Sequence, residues 1–386
     1  MGLTDLLEEK KVIICCGSGG VGKTSIAAAL AIKGAMMGKK TMALTIDPAK
    51  RLADSLGLKP KGNEETPIPL KNLGLIPGQD SGSLHAMLLD RRASWDELVV
   101  KYAPNEEIGK NILNNQFYKS LSHTFAGSQE YLAMEKLYDL YINRKYDLII
   151  VDTPPTKHTL DFLEVPQRMT DFLDRKIIKW FMLPYFSAGR LGLKLLGKTG
   201  LFIFRRLEDA TGIYVLKDIS EFFLNLSSMI DGTIERMRKT SEVLRNKQTA
   251  FFLITSPEAS VLAEANYFLR RVKELNIPLA AVIINKVNVV PEGIVNDNGL
   301  REIKALVKER WGLEKGLGER LVDNFLQFQL LARADKKRIQ SFKQTLPSNQ
   351  IMIYQVPCLE KDLHAINGLL TLNQYLFAGG GNYGNT

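Results

Sequence analysis

"KVIICCGSGGVGKTSIAAALAIKGAMMG" (residues 11–38) is the stretch from which the fold is read. Its first six residues are apolar after Lys11, as in a strand covered on both faces. Gly17, Gly22, Lys23 and Thr24 then satisfy G-x-x-x-x-G-K-[ST]. The remainder is rich in Ala, carries few charges and reads as a helix packed closely on a sheet. Strand, loop and helix in this order are the context the motif needs. Its glycines let backbone N–H groups wrap phosphates, and the helix N-terminus adds a favourable dipole. Lys23 is placed to reach the β- and γ-phosphates and Thr24 to ligate Mg²⁺. Gly17, Gly19, Gly20, Val21, Gly22, Lys23, Thr24 and Ser25 are therefore the candidate residues for binding ATP or GTP.

Outward from this unit, short β-rich runs alternate with longer helical patterns. Candidate strands lie at 11–16, 41–46, 83–89, 146–151, 249–255, 279–285 and 351–356. The expectation is an α/β P-loop NTPase with a mainly parallel sheet flanked by helices. Ligands of such sheets bind at the strand C-termini. Two further segments should converge there, "TIDPAKRLADSLG" (45–57) and "VDTPPTKHTLDFL" (151–163). Asp152, which follows an apolar strand, is the candidate to hold Mg²⁺ through water. Asp47 opens a Pro-constrained turn and is the candidate to orient or deprotonate an attacking water.

Length and composition fit one large domain over residues 1–376 with a disordered tail at 377–386. The chain has 386 residues and an apolar fraction of 45%, enough for a substantial core. Residues from about 92 to 140 and from about 165 to 245 lack strand patterns and read as helical insertions forming a subdomain. No apolar run reaches transmembrane length, and the N-terminal apolar stretch is too short for a signal peptide. A cytoplasmic location is expected. Cys15, Cys16 and Cys358 offer no disulfide framework and no CxxC pair, so all three read as core residues. The net charge of +9 is uneven. Arg175, Lys176, Lys179, Arg190, Lys194, Lys198, Arg205 and Arg206 occur with no acid between them, inside a strongly apolar run. No nucleic-acid recognition module is present, and no nucleic-acid partner is expected.

At this point the chain resembles the ATPases related to the arsenite-pump ATPase and to the tail-anchored-protein targeting factor. Wider relatives of that group include the nitrogenase iron protein and the chromosome-partitioning ATPases. The resemblance is carried by "GSGGVGKTS", "DPAKRLADSLG", "AGSQEYLAM", "DTPPTKHTLDFL", "TSPEASVLAEANYFLRRVKELNIP", "INKV" and "QVPCLEKDL", in the family's order. It implies that Asp47 activates water, that Thr24 ligates Mg²⁺ and that Asp152 begins the second switch. It also implies that Asn285 reads the adenine edge and that Pro357 lines the base pocket. Finally, it implies a dimer that ATP closes and hydrolysis opens, with the helical insertions remodelling a groove for a hydrophobic client.

Two departures qualify the resemblance. The family's second loop lysine would fall at position 18, where this chain has Ser18. Lys157 is the candidate to supply the missing charge, in cis or across the dimer; a solvated surface lysine is the alternative. The zinc-binding CxxC and a clustered thiolate site are both missing, which argues against an arsenite site. The apolar run 177–204, with Gly189, Gly192, Gly197 and Gly200, fits an ordinary core, a lid over a hydrophobic protein or membrane-protein segment, or an anionic membrane contact. The leading expectation is an ATP-hydrolysing homodimer, or a heterodimer with a paralogous ATPase, that controls binding of a hydrophobic client. The alternatives are a membrane-surface positioning switch and an anion-pump-like ATPase without a metalloid site.

Overall fold

The computed structural model describes residues 2–46, 63–69, 82–124, 128–143, 145–155, 213–290, 317–346, 351–359 and 366–377, with 52, 56, 71, 164 and 302. Eight strands form one sheet: β1 (Val12–Gly17), β2 (Lys40–Thr45), β3 (Thr66–Ile68), β4 (Ser83–Leu88), β5 (Leu148–Asp152), β6 (Thr249–Thr255), β7 (Leu279–Val287) and β8 (Met352–Pro357). Their order is β3-β4-β2-β5-β1-β6-β7-β8. All seven expected strands are present and pair in parallel. The eighth, β3, was not expected, and it pairs antiparallel to β4 at the sheet edge.

The parallel pairing brings the C-terminal ends of seven strands to one edge. β1 lies between β5 and β6, so the loop that follows it leaves from the middle of that edge. Register places Cys15 beside Asp152 and, one strand further out, Thr45 beside Asp152.

Helices cover both faces of the sheet. On one side lie α1 (Leu3–Glu9), α2 (Lys23–Met36) and, after β8, α10 (Ile366–Phe377). The alanines of α2 let it sit close to the strands: Ala27, Ala28, Ala29, Ala31 and Ala35 are all buried in the core of that face. The opposite face carries α3 (Arg91–Tyr102), α4 (Glu106–Asn114), α5 (Gln116–Thr124), α6 (Ser128–Ile142) and α7 (Ile213–Arg245). Of these, α3 to α6 lie between residues 91 and 142, and α7 covers 213–245. Residues 165–212, with the apolar run 177–204, and the tail beyond Phe377 lie outside the described residues. Two further helices, α8 (Ala259–Glu274) and α9 (Leu317–Lys343), follow β6 and β7.

Alternation along β1 divides its residues between two cores. Val12, Ile14 and Cys16 face the helices α3–α7, whereas Ile13 and Cys15 face α2. Both thiols are buried as expected, but Cys358 is exposed. It follows Pro357 at the end of the edge strand β8.

A buried ion pair ties α6 to α7. Arg236 Nε donates to both carboxylate oxygens of Glu135, at 3.1 and 3.2 Å, and the guanidinium lies 3.5 Å from the centre of the Tyr102 ring on α3. Burial raises the Glu135 carboxyl above its usual range, and the Arg236 charge opposes that rise. Among the described residues, no helix is long and apolar enough to cross a membrane.

Candidate functional site

The loop between β1 and α2 is shaped by two glycines. Gly17 has φ +152°, and a Cβ there would lie 1.9 Å from the Ile254 carbonyl oxygen on β6. Gly22 caps α2 with φ +92°, and a Cβ there would lie 2.4 Å from Asn285 Nδ2. Only glycine fits both conformation and space at these two positions. Between them, residues 18–21 turn across the strand ends, and Lys23, Thr24 and Ser25 form the first turn of α2.

Polar side chains gather beneath this turn. Lys23 is only 8% exposed, and its Nζ donates to the Ser18 carbonyl at 2.8 Å. Thr24 Oγ1 donates to Asp152 Oδ2 at 2.8 Å, and Thr45 Oγ1 donates to the same oxygen at 3.3 Å. Two hydroxyls and a carboxylate from α2, β2 and β5 therefore meet at one point. Strand register sets Thr45 beside Asp152, and the first turn of α2 brings Thr24 to the same carboxylate. The next residue, Thr153, is anchored to β1 through its hydroxyl, which donates to the Cys15 carbonyl at 2.8 Å.

The far side of the loop rests on β6, β7 and α8. Asn285 is buried, and its Nδ2 donates to the Val21 carbonyl at 2.8 Å. Here it supports the loop from behind. Lys286, the next residue, donates to the Gly20 carbonyl at 2.8 Å. From α8, Glu264 accepts from Ser18 Oγ at 2.6 Å. Pro357 pairs with Val287 at the end of β8, one strand out from Asn285.

The structure thus brings Gly17, Gly19, Gly20, Val21, Gly22, Lys23, Thr24, Ser25, Asp152 and Asn285 to one edge of the sheet, with Pro357 on the outermost parallel strand of that edge. Asp47 and Lys157 lie outside the described residues. Thr45, Glu264 and Lys286 also belong to the loop's surroundings and were not singled out from sequence. For Thr45 a signal existed, since it closes a strand two residues before Asp47. Glu264 and Lys286 gave none, because their approach depends on strand order.

The donor set at Thr24, Asp152 and Thr45 is all oxygen, which suits a hard cation such as Mg²⁺. The thiols offer nothing comparable. Burial first, and then the Asp152 charge, pushes the Cys15 thiol well up, and burial likewise pushes up Cys16. Thiols pushed up in this way resist forming the thiolate that a soft-metal ligand must be.

Comparison with known proteins agrees with this geometry. The model of the anion-transporting ATPase family matches residues 10–334. A protein of Aquifex aeolicus that carries the name arsenical pump-driving ATPase 1 is 27% identical over 390 residues, covering 95% of this chain and 78% of its own length. ATPase ASNA1 homolog 2 of Paramecium tetraurelia is 28% identical over 291 residues, or 74% of this chain and 79% of its own. ATPase GET3C of Arabidopsis thaliana is 26% identical over 292 residues, covering 72% and 68% respectively.

Proposed function

The chain belongs to the anion-transporting, ArsA-type ATPase family, and from that membership we propose that its ATP cycle opens and closes a binding surface for a hydrophobic protein client. The protein is an ATP hydrolase with a P-loop fold. The cycle is assigned to two copies of the chain, or to this chain and a paralogous ATPase, with Mg²⁺.

The observation that carries the nucleotide part is the meeting of Thr24, Thr45 and Asp152 beneath the loop. These residues would hold Mg²⁺, which supplies charge to the phosphate oxygens of bound ATP. Lys23 then releases the Ser18 carbonyl and turns to the same phosphates. Asp47 orients the attacking water and accepts its proton. Lys157 adds positive charge at the phosphates. Asn285 and Pro357 are assigned to the base.

The client part is supported by exposed apolar surface. On α9, Leu321, Phe328, Leu330 and Leu331 are 40%, 38%, 64% and 53% exposed. Leu321, Phe328 and Leu331 fall on one side of the helix, with Leu330 on the other, and an apolar patch exposed on one side marks an interaction face. The resemblance to tail-anchored-protein targeting factors points the same way. The metalloid-pump reading is less favoured, because Cys15 and Cys16 lie on opposite faces of β1 in separate cores.

Asp47→Asn tests the cycle. The variant is expected to bind Mg-ATP without turning it over and to sediment as a dimer in ATP. Hydrolysis at the wild-type rate would remove Asp47 from its role. A monomer in both ATP and ADP would end the two-copy cycle. Run beside it, Lys157→Ala is expected to be slow, and a wild-type rate would show that this lysine carries no charge to the reaction.

A further inference from the structure

Two adjacent residues of β7 reach the same loop, which a regular strand forbids because neighbouring side chains point to opposite faces. Asn285 Nδ2 donates to the Val21 carbonyl and Lys286 Nζ to the Gly20 carbonyl, each at 2.8 Å. The strand achieves this by a local break. The β7–β8 register shifts between Ile284 and Val287, and Lys286 takes a left-handed backbone with φ +59°. Among the described residues the other non-glycine in that region is Asn276, a residue type that adopts it readily. Lysine has no such preference, so its backbone here is strained. The result of the break is a second ammonium at the tip of the loop.

The charge balance gives that ammonium a purpose. Position 18 presents a hydroxyl that donates to the Glu264 carboxylate at 2.6 Å. An acid therefore stands against the loop that is to receive the anionic phosphates. Lys23 and Lys286 are the two lysines that donate to loop carbonyls among the described residues.

We propose that Lys286 is a positioning residue for ATP hydrolysis. It holds the loop tip through the Gly20 carbonyl and adds a positive charge to a loop against which the Glu264 carboxylate also stands. The inference rests on the phosphate-loop reading of residues 17–24.

The test uses the full chain with Lys286→Met, Lys286→Arg and Lys286→Gly, measuring kcat and KM for Mg-ATP at low and high salt, with melting curves. Lys286→Met and Lys286→Gly are expected to lose about tenfold in kcat/KM, the scale of one charge-assisted hydrogen bond. Lys286→Arg should keep most of the activity. Lys286→Gly should melt no lower than the parent, since glycine takes this backbone without strain, so its loss cannot be unfolding. The deficit of Lys286→Met should shrink at high salt, where an exposed charge is screened. The proposal is overturned if Lys286→Met stays within about twofold of the parent, or if Lys286→Arg is as impaired as Lys286→Met. Lys23→Met serves as the separate check: if it too is fully active, the phosphate-loop reading is what fails.

Discussion

Lys23→Met is expected to lower kcat/KM for ATP by about 10²–10³-fold, the range for removing one preorganised electrostatic donor. Methionine keeps most of the length of the lysine stem, so the buried first turn of α2 stays filled. What disappears is the ammonium that donates to the Ser18 carbonyl at 2.8 Å. That carbonyl belongs to a loop held independently by Asn285 and Lys286. The melting temperature should therefore move little while turnover collapses. Steady-state ATPase assays beside thermal melts separate the two quantities. A variant that keeps more than about a tenth of the parent rate would contradict the assignment.

Gly17→Ala should act on the fold itself. Its Cβ would fall 1.9 Å from the Ile254 carbonyl oxygen, and that oxygen belongs to the central strand β6, which has no room to move. Backbone meets backbone, so no rotamer change relieves the overlap. The expected cost is on the order of 4 kcal/mol or more, at the top of the range for single substitutions. Gly19 is the internal control, since a Cβ there meets nothing nearer than Pro155 Cγ at 3.9 Å. Gly19→Ala should stay within about 0.5 kcal/mol of the parent. Urea unfolding of both variants checks the contrast, and equal stability would mean that β1 and β6 do not pair as described.

The sheet was legible because its parallel strands are apolar on both faces and punctuated by loops. The edge strand β3 was not. It has three residues, Thr66–Ile68, and contains Pro67, which gives it neither length nor pattern. The helix α1, with seven residues, is also short. Exposure of Cys358 also escaped the sequence, because a free cysteine is ordinarily buried and only its place after an edge strand overrides that preference.

Within the site, a local motif announced the loop, and strand-end logic found Asp152. The supports beneath it could not be found that way. Glu264 lies 246 residues from Ser18, and Lys286 lies 266 from Gly20. They arrive only because β6 and β7 follow β1 in the sheet, and strand order leaves no trace in periodicity. Lys286 is a further case, since the left-handed turn that aims it breaks the alternation on which strand reading depends.

The central claim is that nucleotide state controls binding of a hydrophobic segment, and a direct binding titration tests it. A fluorescently labelled, Leu-rich peptide of about 20 residues, the length that spans a bilayer, is titrated with Asp47→Asn in Mg-ATP and with the parent in Mg-ADP. Coupling between sites is typically about 5–150-fold in affinity, so the account predicts saturable binding that differs at least about fivefold between the two states. Equal affinity in both states, or no saturable binding in either, would contradict it.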